Sequence, residues 1–392
     1  MILYDATHTS HTAAQTGIQR VCRALFKELE AGQNAAPVCY DPHLEGWREL
    51  VADERAVLRD CSGGTGRSRG AKWTLAQKIG GASRRWFGGK TALPAPAGLI
   101  CPELFSAKVG ARLPELMSHV AGPRVAIFYD AIPLKFPELT PAGTVARFPV
   151  YLQELLGFDG VAAISEDSAA SLRDYWRWLG VPHAPPVQAV PLGVDRAVVA
   201  GAGETVAAPS MPRLLSVGTI EGRKNHLALL DACEMLWREG RAFELELIGL
   251  PRPDTAAATL AKIAALSTAG HPLHFHGSVS ETTLHQAYAR ASFTVYPSLI
   301  EGFGLPVLES LQHGKPCICS GHGALGESAR GGGCVTLDSV DAASLASAIR
   351  QLLLTPAQLN SLAAAAGQRE FKNWGDYARE LTAWMVTLTR RS

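Results

Sequence analysis

The sequence is low in charge and in aromatic residues, and it has no long apolar run. Charged residues make up 19% of the 392 residues and aromatic residues 7%, while hydrophobic residues reach 47%. These fractions are typical of globular proteins and exclude a disordered or fibrous chain. The net charge is +1, so the chain has no overall field for holding nucleic acid. A membrane-spanning helix is not expected, because no stretch of about 18 mostly apolar residues occurs.

The eight cysteines lack the spacing of metal sites, because no CxxC pair occurs in the sequence. They lie in apolar contexts, which predicts reduced thiols in the core of a cytosolic protein. The first residues, MILYDATHTSH, place Asp5 and two histidines where a secretion signal needs a cationic start and an apolar run. Both observations favour a cytoplasmic location.

Short β-branched runs alternate with helical patterns along the chain, which predicts α/β units built on parallel sheets. In the first half, strands are predicted at MILYD, APVCYD, GLICP, RVAIFYD and GVAAIS. In the second half, they are predicted at RLLSVGTI, FELELIG, LHFHGSV, SFTVYPS, KPCICS and GCVTLD. A first helix is expected between Thr16 and Gly32, and a later helix between Ser165 and Gly180.

A change in composition after residue 195 divides the chain into two domains. Residues 196–212 are mostly small residues and prolines without periodicity, which is typical of a linker. We therefore predict an N-terminal domain over 1–195 and a C-terminal domain over 213–370, both Rossmann-like. A final helix is expected over 371–392.

Residues 62–102 form a basic segment without Asp or Glu, in which Trp73, Trp86 and Phe87 are interspersed. One interpretation is a segment that lies on an anionic membrane surface, to which cations and interfacial aromatics both contribute. The other is a solvated insertion with a few aromatic side chains packed on the domain. No regular helical stripe emerges from the pattern. The seven basic residues are Arg67, Arg69, Lys72, Lys78, Arg84, Arg85 and Lys90.

The densest motif is SLIEGFGLPVLESLQHGKPCICS, over residues 298–320. A strand is predicted to end at its first residue, a glycine turn follows, and Pro306 begins a short helix that Gly314 ends. Ligands of open α/β sheets bind at the carboxyl ends of strands, where a helix N-terminus offers free amide donors. Glu301 and Glu309 flank this helix start, and both are placed to accept hydrogen bonds from sugar or ribose hydroxyls.

EGFGLPVLE resembles the E-x7-E motif of a large family of retaining glycosyltransferases, family 4, which has the GT-B fold of two Rossmann-like domains facing across a cleft. SVGTIEGRKNHLALLDA resembles the strand, loop and helix of that family that carry an Arg-Lys pair. In the first half, TGIQRV, FYDAIPLKFPELT and AAISEDSAASL resemble its glycine loop, its acid-containing loop and a serine helix start. The resemblance is specific over 213–330, while residues 42–100 match no family segment. It also implies that the helix over 371–392 crosses back to the first domain.

The resemblance implies that the C-terminal domain holds a nucleotide-sugar donor. Arg223 and Lys224 would neutralise the diphosphate and the charge that develops on it as the glycosidic bond breaks. Glu301 would contact the donor sugar, and Glu309 would hold the ribose. The structural alternatives are a solvated Arg-Lys turn and exposed carboxylates. Other donor-binding residues implied are Gly17, Gly218, Ser278, Val279, Gly302, Phe303, Gly304 and Leu305.

Asp130 ends the strongly apolar strand RVAIFYD, so its side chain is expected to emerge at the ligand-binding edge of the sheet. We predict that Asp130 orients the acceptor hydroxyl or accepts its proton. A loop-bracing or helix-capping aspartate is the alternative. Many members of the family have histidine where this chain has Tyr129, so a histidine-based role is not expected at that position.

The activity implied by the resemblance is transfer of a hexose or 6-deoxyhexose from a nucleotide-sugar to a glycan or lipid-linked acceptor in surface polysaccharide synthesis, as in lipopolysaccharide or capsule. Mannose from GDP-mannose is the first donor expected and rhamnose the second. No protein nucleophile is evident for a two-step route, which favours same-face attack assisted by the departing phosphate. No Asp-x-Asp occurs, so neither a metal nor any cofactor beside the nucleotide-sugar substrate is expected.

Two other classes of protein were weighed against this interpretation. An NAD-dependent oxidoreductase would carry GxGxxG after its first strand, and the sequence lacks it. A non-catalytic GT-B protein that binds a nucleotide or glycan would tend to have lost Glu301, Arg223 or Lys224. All three are present.

Overall fold

The computed structural model describes residues 1–60, 70–86, 93, 96–195 and 211–391. Two compact units emerge, unit 1 from Met1–Gly193 with Lys372–Ser392 and unit 2 from Val194–Phe371. Most of the predicted linker lies outside the described residues. So do four residues of the basic segment named above, Arg67, Arg69, Phe87 and Lys90.

Unit 1 is a seven-stranded sheet flanked by helices. Its strands are β1 (Ile2–Asp5), β2 (Ala35–Asp41), β3 (Gly46–Glu49), β4 (Gly98–Cys101), β5 (Arg124–Phe128), β6 (Gly160–Ala163) and β7 (Val187–Ala189). Its helices before residue 193 are α1 (Gly17–Ala31), α2 (Ala52–Arg59), α3 (Leu75–Trp86), α4 (Ala107–Gly110), α5 (Leu113–Ser118), α6 (Ile132–Lys135), α7 (Ala142–Glu154) and α8 (Glu166–Trp178). The strand order is β3-β2-β1-β4-β5-β6-β7, and β3 pairs antiparallel with β2 while the other neighbours are parallel.

Local sequence signals account for several element ends in unit 1. Ser165 caps α8 as predicted, because its side chain accepts a hydrogen bond from the Ser168 amide at 3.1 Å. Strands β4, β5 and β6 are buried at every residue, as expected for central parallel strands covered on both faces.

The basic segment contains α3, whose exposed apolar residues Leu75, Ile79 and Trp86 share one helix face. The expectation that this segment carries no helical stripe is therefore wrong, since the pattern emerges only once the helix bounds are known.

Unit 2 is a six-stranded sheet in which every neighbouring pair is parallel. Its strands are β8 (Arg213–Val217), β9 (Glu244–Ile248), β10 (Leu273–Phe275), β11 (Phe293–Tyr296), β12 (Cys317–Ser320) and β13 (Cys334–Leu337). Its helices are α9 (His226–Arg238), α10 (Ala257–Thr268), α11 (Glu281–Arg290), α12 (Leu305–Gln312), α13 (Gly323–Ala329), α14 (Ala342–Leu354) and α15 (Pro356–Gly367). The order is β10-β9-β8-β11-β12-β13, and all six strands coincide with runs predicted from the sequence.

The last helix, α16 (Trp374–Met385), packs within unit 1, where it contacts α1. Asn373 begins it with a reciprocal capping box to Asp376, and Tyr377 and Leu381 on its inner face are fully buried. The aromatic side chains of Trp374 and Tyr377 are thus part of the core of unit 1. Among the described residues, no helix is both long and apolar enough to cross a bilayer.

Candidate functional site

The loops after β8 and β11 lie side by side in the middle of the sheet of unit 2. The chain passes from β8 through β9 and β10 on one side, and then returns to β11 on the other side of β8. The Leu299 amide donates to the Arg223 carbonyl at 2.9 Å, and the Asn225 side chain donates to the Pro297 carbonyl at 3.2 Å. Such a crossover point is where open α/β sheets bind ligands.

Glu301 lies between the two cations that the sequence places near it. Its Oε2 is 2.7 Å from Arg223 Nη1, and its Oε1 is 2.6 Å from Lys224 Nζ. Burial raises the pKa of Glu301, but Lys224 and Arg223 outweigh it and hold the pKa at about 2. The carboxylate is therefore ionised at neutral pH. The structure brings together three residues that are up to 78 positions apart in the sequence.

Tyr296, the last residue of β11, completes the contacts of Lys224 and was not predicted. Its hydroxyl accepts a hydrogen bond from Lys224 Nζ, which also lies 4.7 Å from the centre of the tyrosine ring. Burial lowers the pKa of Lys224, while Glu301 acts in the opposite direction. A side chain at Gly218 would lie 3.8 Å from both Lys224 and Tyr296, so this glycine borders the cluster. The sequence signal that could have identified Tyr296 as a site residue is its position at the carboxyl end of a central strand.

Glu221 and Arg252 extend the ionic cluster, and neither was predicted from the sequence. Glu221 Oε1 lies 2.8 Å from Arg223 Nη2, and Glu221 Oε2 lies 3.1 Å from Arg252 Nη1. Arg252 also pairs with Asp254 at 2.9 Å. The cations at the crossover point are thus held by carboxylates of the protein, and an incoming anion would have to exchange with them.

The glycine turn after β11 is fixed by its conformation and its neighbours. Gly304 has φ +105°, and a Cβ there would lie 3.0 Å from Ser328 Oγ. Ser328 Oγ donates to the Phe303 carbonyl at 2.6 Å. Helix α12 starts at Leu305, with Pro306 as its second residue. The prediction that Pro306 begins the helix is wrong by one position, because Gly304 in the left-handed region already serves as the N-cap.

Glu309 lies in the second turn of α12, where Tyr288 of α11 contacts it. The Tyr288 hydroxyl donates to Glu309 Oε2 at 3.3 Å, and its ring stacks on His313 with 4.9 Å between centres. Val279 packs against the buried apolar cluster that contains Tyr288, while Ser278 is exposed. Buried Gly302 lies in the glycine turn. Tyr288 is a further residue that was not predicted from the sequence.

Gly17 and Asp130 belong to unit 1. Gly17 is the exposed first residue of α1, and no protein atom lies within 4 Å of the position that a Cβ would occupy. Asp130 Oδ1 accepts a hydrogen bond from the Ile132 amide at 3.0 Å, which is the loop-bracing contact weighed as an alternative. The neighbouring Tyr129 is buried, and its hydroxyl donates to the Pro102 carbonyl at 2.6 Å.

Two buried acids lie at the crossover point of unit 1, between β1 and β4, and were not predicted. Glu103 accepts hydrogen bonds from the amides of His8 at 2.7 Å and Thr9 at 2.6 Å. Asp5 accepts from the amide and hydroxyl of Thr7. Burial, and then the charge of Glu103, raise the pKa of Asp5 to about 7.

The two α/β sheets give the chain the two-domain GT-B fold. Solved structures with this fold include sucrose-phosphate synthase from Thermosynechococcus elongatus, with a TM-score of 0.65 and 19% identity over 98% of this chain and 97% of that chain. Anabaena Alr3699/HepE in complex with UDP has a TM-score of 0.69 and 13% identity over 99% and 100% of the two chains. At such identities the likeness shows the fold alone, and it confirms the predicted fold class.

Residues 204–369 match the family described as glycosyl transferases group 1. The serotype-specific mannosyltransferase WbdA of Escherichia coli is 27% identical over 348 residues, which are 81% of this chain and 38% of that protein. The chain thus spans about two fifths of the length of this relative. Residues 204–369 thus match a group 1 glycosyltransferase domain, which confirms the resemblance drawn from the motifs of this part of the chain.

Proposed function

We propose that the protein is a retaining, metal-independent glycosyltransferase that moves a hexose or 6-deoxyhexose from a nucleoside diphosphate to a glycan or lipid-linked acceptor. Mannose from GDP-mannose is the first donor proposed, and rhamnose is the second. The mannosyltransferase named above supports the first choice. Its serotype specificity supports an acceptor in a surface polysaccharide.

The ion pairs of Glu301 with Arg223 and Lys224 are the observation that carries this proposal. A diphosphate placed at the crossover point would take over the two cations, since it offers several charged oxygens to them. Glu301 would then be released toward the hydroxyls of the donor sugar. The cluster is thus preorganised for an anion and a polyol that arrive together.

The proposed reaction breaks the bond between C1 of the sugar and the phosphate oxygen, and forms a bond from the acceptor oxygen to C1 on the same face. The acceptor proton moves to the departing phosphate oxygen. Arg223 and Lys224 stabilise the negative charge on the diphosphate as the bond breaks. Asp130, held by the Ile132 amide, would orient the acceptor hydroxyl. Glu309, contacted by Tyr288, would hold the ribose.

A binding panel tests the donor site. GDP, UDP, dTDP, ADP and NAD are titrated in the presence of EDTA against the wild type and Arg223→Gln/Lys224→Gln. We expect one diphosphate to stabilise the wild type, by about 2.7 kcal/mol at 100 times its Kd, and to lose this effect in the double variant. The matched control is Arg350→Gln, because Arg350 pairs with Glu239 on the exposed surface of unit 2. Stabilisation by NAD alone, or equal stabilisation of all three proteins, would refute the donor site.

Turnover separates the enzyme from the alternative, a non-catalytic GT-B protein that binds a nucleotide or glycan. The wild type is incubated with GDP-mannose and mannose oligosaccharides, and the anomeric protons of the product are followed by NMR. We expect an α-linked product from the α-linked donor, unchanged by EDTA. Nucleotide binding without turnover of any tested donor would favour the non-catalytic protein, and a β-linked product would contradict retention.

We further propose that α3 contacts the inner face of the cell membrane. Leu75, Ile79 and Trp86 are 73%, 61% and 86% exposed, and their spacing of four and seven residues places them on one helix face. Lys78 and Arg84 are exposed on the same helix. Apolar side chains and cations together match an anionic bilayer surface.

Vesicle sedimentation tests the membrane contact. We expect the wild type to sediment with vesicles that contain phosphatidylglycerol and not with phosphatidylcholine alone, and Trp86→Ala to sediment several-fold less. Trp178→Ala is the matched control, because Trp178 is also highly exposed in unit 1 but lies on α8. Equal sedimentation of wild type and Trp86→Ala would contradict the contact.

A further inference from the structure

An aromatic groove of about 370 Å³ runs along α8 of unit 1, and nothing in the proposed reaction uses it. One wall is the segment that starts at Ala131, directly after Asp130, and includes Lys135. The other wall is the helix itself, through a set of side chains that recur at helical spacing. Its main members are Asp167, Ser171, Asp174, Tyr175 and Trp178.

The lining residues contributed by α8 follow one face of the helix. Asp167, Ser171, Asp174 and Trp178 are separated by four, three and four residues, which places them in one stripe. Eleven residues at 1.5 Å per residue make the stripe about 16 Å long. That is the length of a short oligosaccharide, and the groove begins beside the residue proposed to orient the acceptor.

The lining combines an aromatic platform with hydrogen-bonding groups. Trp178 is 80% exposed, and its ring centre lies 6.3 Å from that of Tyr175, which packs against the core of the unit. Asp167 pairs with Lys135 at 3.2 Å and Asp174 with Arg177 at 2.5 Å. Two carboxylates and two cations balance, so this surface does not select an anion. A sugar ring offers C–H groups to an aromatic face and hydroxyls to carboxylates, and it matches both features of the groove.

We infer that this groove binds the acceptor, as a neutral oligosaccharide that lies along α8 with its growing end at Asp130. Tyr175 and Trp178 stack on sugar rings that precede the accepting residue. That the bound oligosaccharide is the acceptor rests on the proposed function. The groove itself belongs to unit 1, so oligosaccharide binding to it can be measured without a donor.

Oligosaccharide binding is measured first without any nucleotide. An α-linked mannotriose and methyl α-mannoside are titrated against the full chain, with ligand signals followed by saturation-transfer NMR. We expect the trisaccharide to bind the wild type and Trp86→Ala equally, and Trp178→Ala about tenfold more weakly. Trp86 is the matched control because it is an equally exposed tryptophan elsewhere in unit 1. No binding of the trisaccharide to the wild type, or equal losses in both variants, would overturn the inference.

Steady-state kinetics then tests whether the groove holds the acceptor during the reaction. We expect Trp178→Ala to raise the KM for mannotriose about tenfold, with the KM for methyl α-mannoside, the KM for the donor and the kcat unchanged. A rise in the donor KM, or a loss of vesicle binding in place of trisaccharide binding, would overturn the inference. If trisaccharide binding depends on Trp178 but no donor is turned over, the proposed function fails while the glycan groove stands.

Discussion

Charge burial at single residues decides much of the chemistry of this protein. Glu301 stays ionised in its largely buried loop because two cations lie within 3 Å of its oxygens. Asp5 experiences the opposite environment, since burial and the neighbouring Glu103 both disfavour its charge. Both carboxyl groups lie at the crossover points of their respective sheets. The same position therefore holds a carboxyl with a lowered pKa in unit 2 and one with a raised pKa in unit 1.

The raised pKa of Asp5 predicts a pH-dependent stability of unit 1. A carboxyl whose pKa moves from 3.8 to about 7 on folding favours the folded state fully below pH 4, and that contribution is lost as the pH rises to 7. Asp5→Asn does not titrate. We therefore expect the stability of this variant, relative to the wild type, to increase by about 3 kcal/mol between pH 4 and pH 7 and to level off above.

Urea unfolding of both proteins at pH 4, 5, 6, 7 and 8 measures this difference. A difference that is flat with pH would show that Asp5 is already ionised throughout this range, and would contradict the environment described for it.

The turn that leads into α12 is constrained both by its backbone conformation and by its packing. Gly304 takes a left-handed conformation against Ser328 and Leu325, and the amides of the following helix start depend on it. We expect Gly304→Ala to destabilise unit 2 by about 1–3 kcal/mol, because alanine is strained at this φ and its methyl group would be in tight contact with Ser328 and Leu325.

Gly367→Ala is the matched control for the turn. Gly367 ends α15, and no atom lies within 4 Å of a Cβ placed there, so we expect a change of less than about 1 kcal/mol in the stabilising direction. Chemical unfolding of the two variants measures both effects. Equal effects of the two substitutions would show that the turn can relax around a side chain.

The sequence predicted central elements better than edge elements. All six strands of unit 2 and five strands of unit 1 follow from β-branched or apolar runs. The two that were missed, β3 (GWRE) and β7 (VQA), are short edge strands. β3 pairs with β2, which directly precedes it in the chain, and β7 pairs with β6 across helix α8. A run of three or four residues with polar members carries too little periodicity to indicate either strand.

At the scale of the whole molecule, the chain forms two units, each with its own sheet and core. Unit 1 is closed by the last twenty-one residues of the chain, Lys372–Ser392. Helix α16 fits against the sheet where Gly98 and Gly160 leave room for Met385 and Trp384. Unit 1 therefore includes both the first strand, β1, and the last helix, α16.

The substitution Leu381→Ala tests whether α16 stabilises unit 1 independently of unit 2. Leu381 is fully buried in α16, and its truncation is expected to cost unit 1 about 2–5 kcal/mol. In calorimetry with and without GDP, we expect the variant to lower one melting transition and leave the GDP-shifted transition in place. Leu354→Ala is the control, since Leu354 in unit 2 is 55% exposed and should change stability by less than about 0.5 kcal/mol. Movement of both transitions together would show that the two units unfold as one.

The sequence by itself determined the α/β class, the strands of unit 2 and the family motifs, because these depend on local periodicity and on residues that are neighbours in the chain. It also placed Arg223, Lys224 and Glu301 in loops at the carboxyl ends of strands. Tertiary structure alone decided that Glu301 pairs with both cations, that Tyr296 and Glu221 join them, and that Asp130 braces its own loop. Such contacts depend on strand order and on the burial of charge, and neither is encoded in the spacing of residues along the chain.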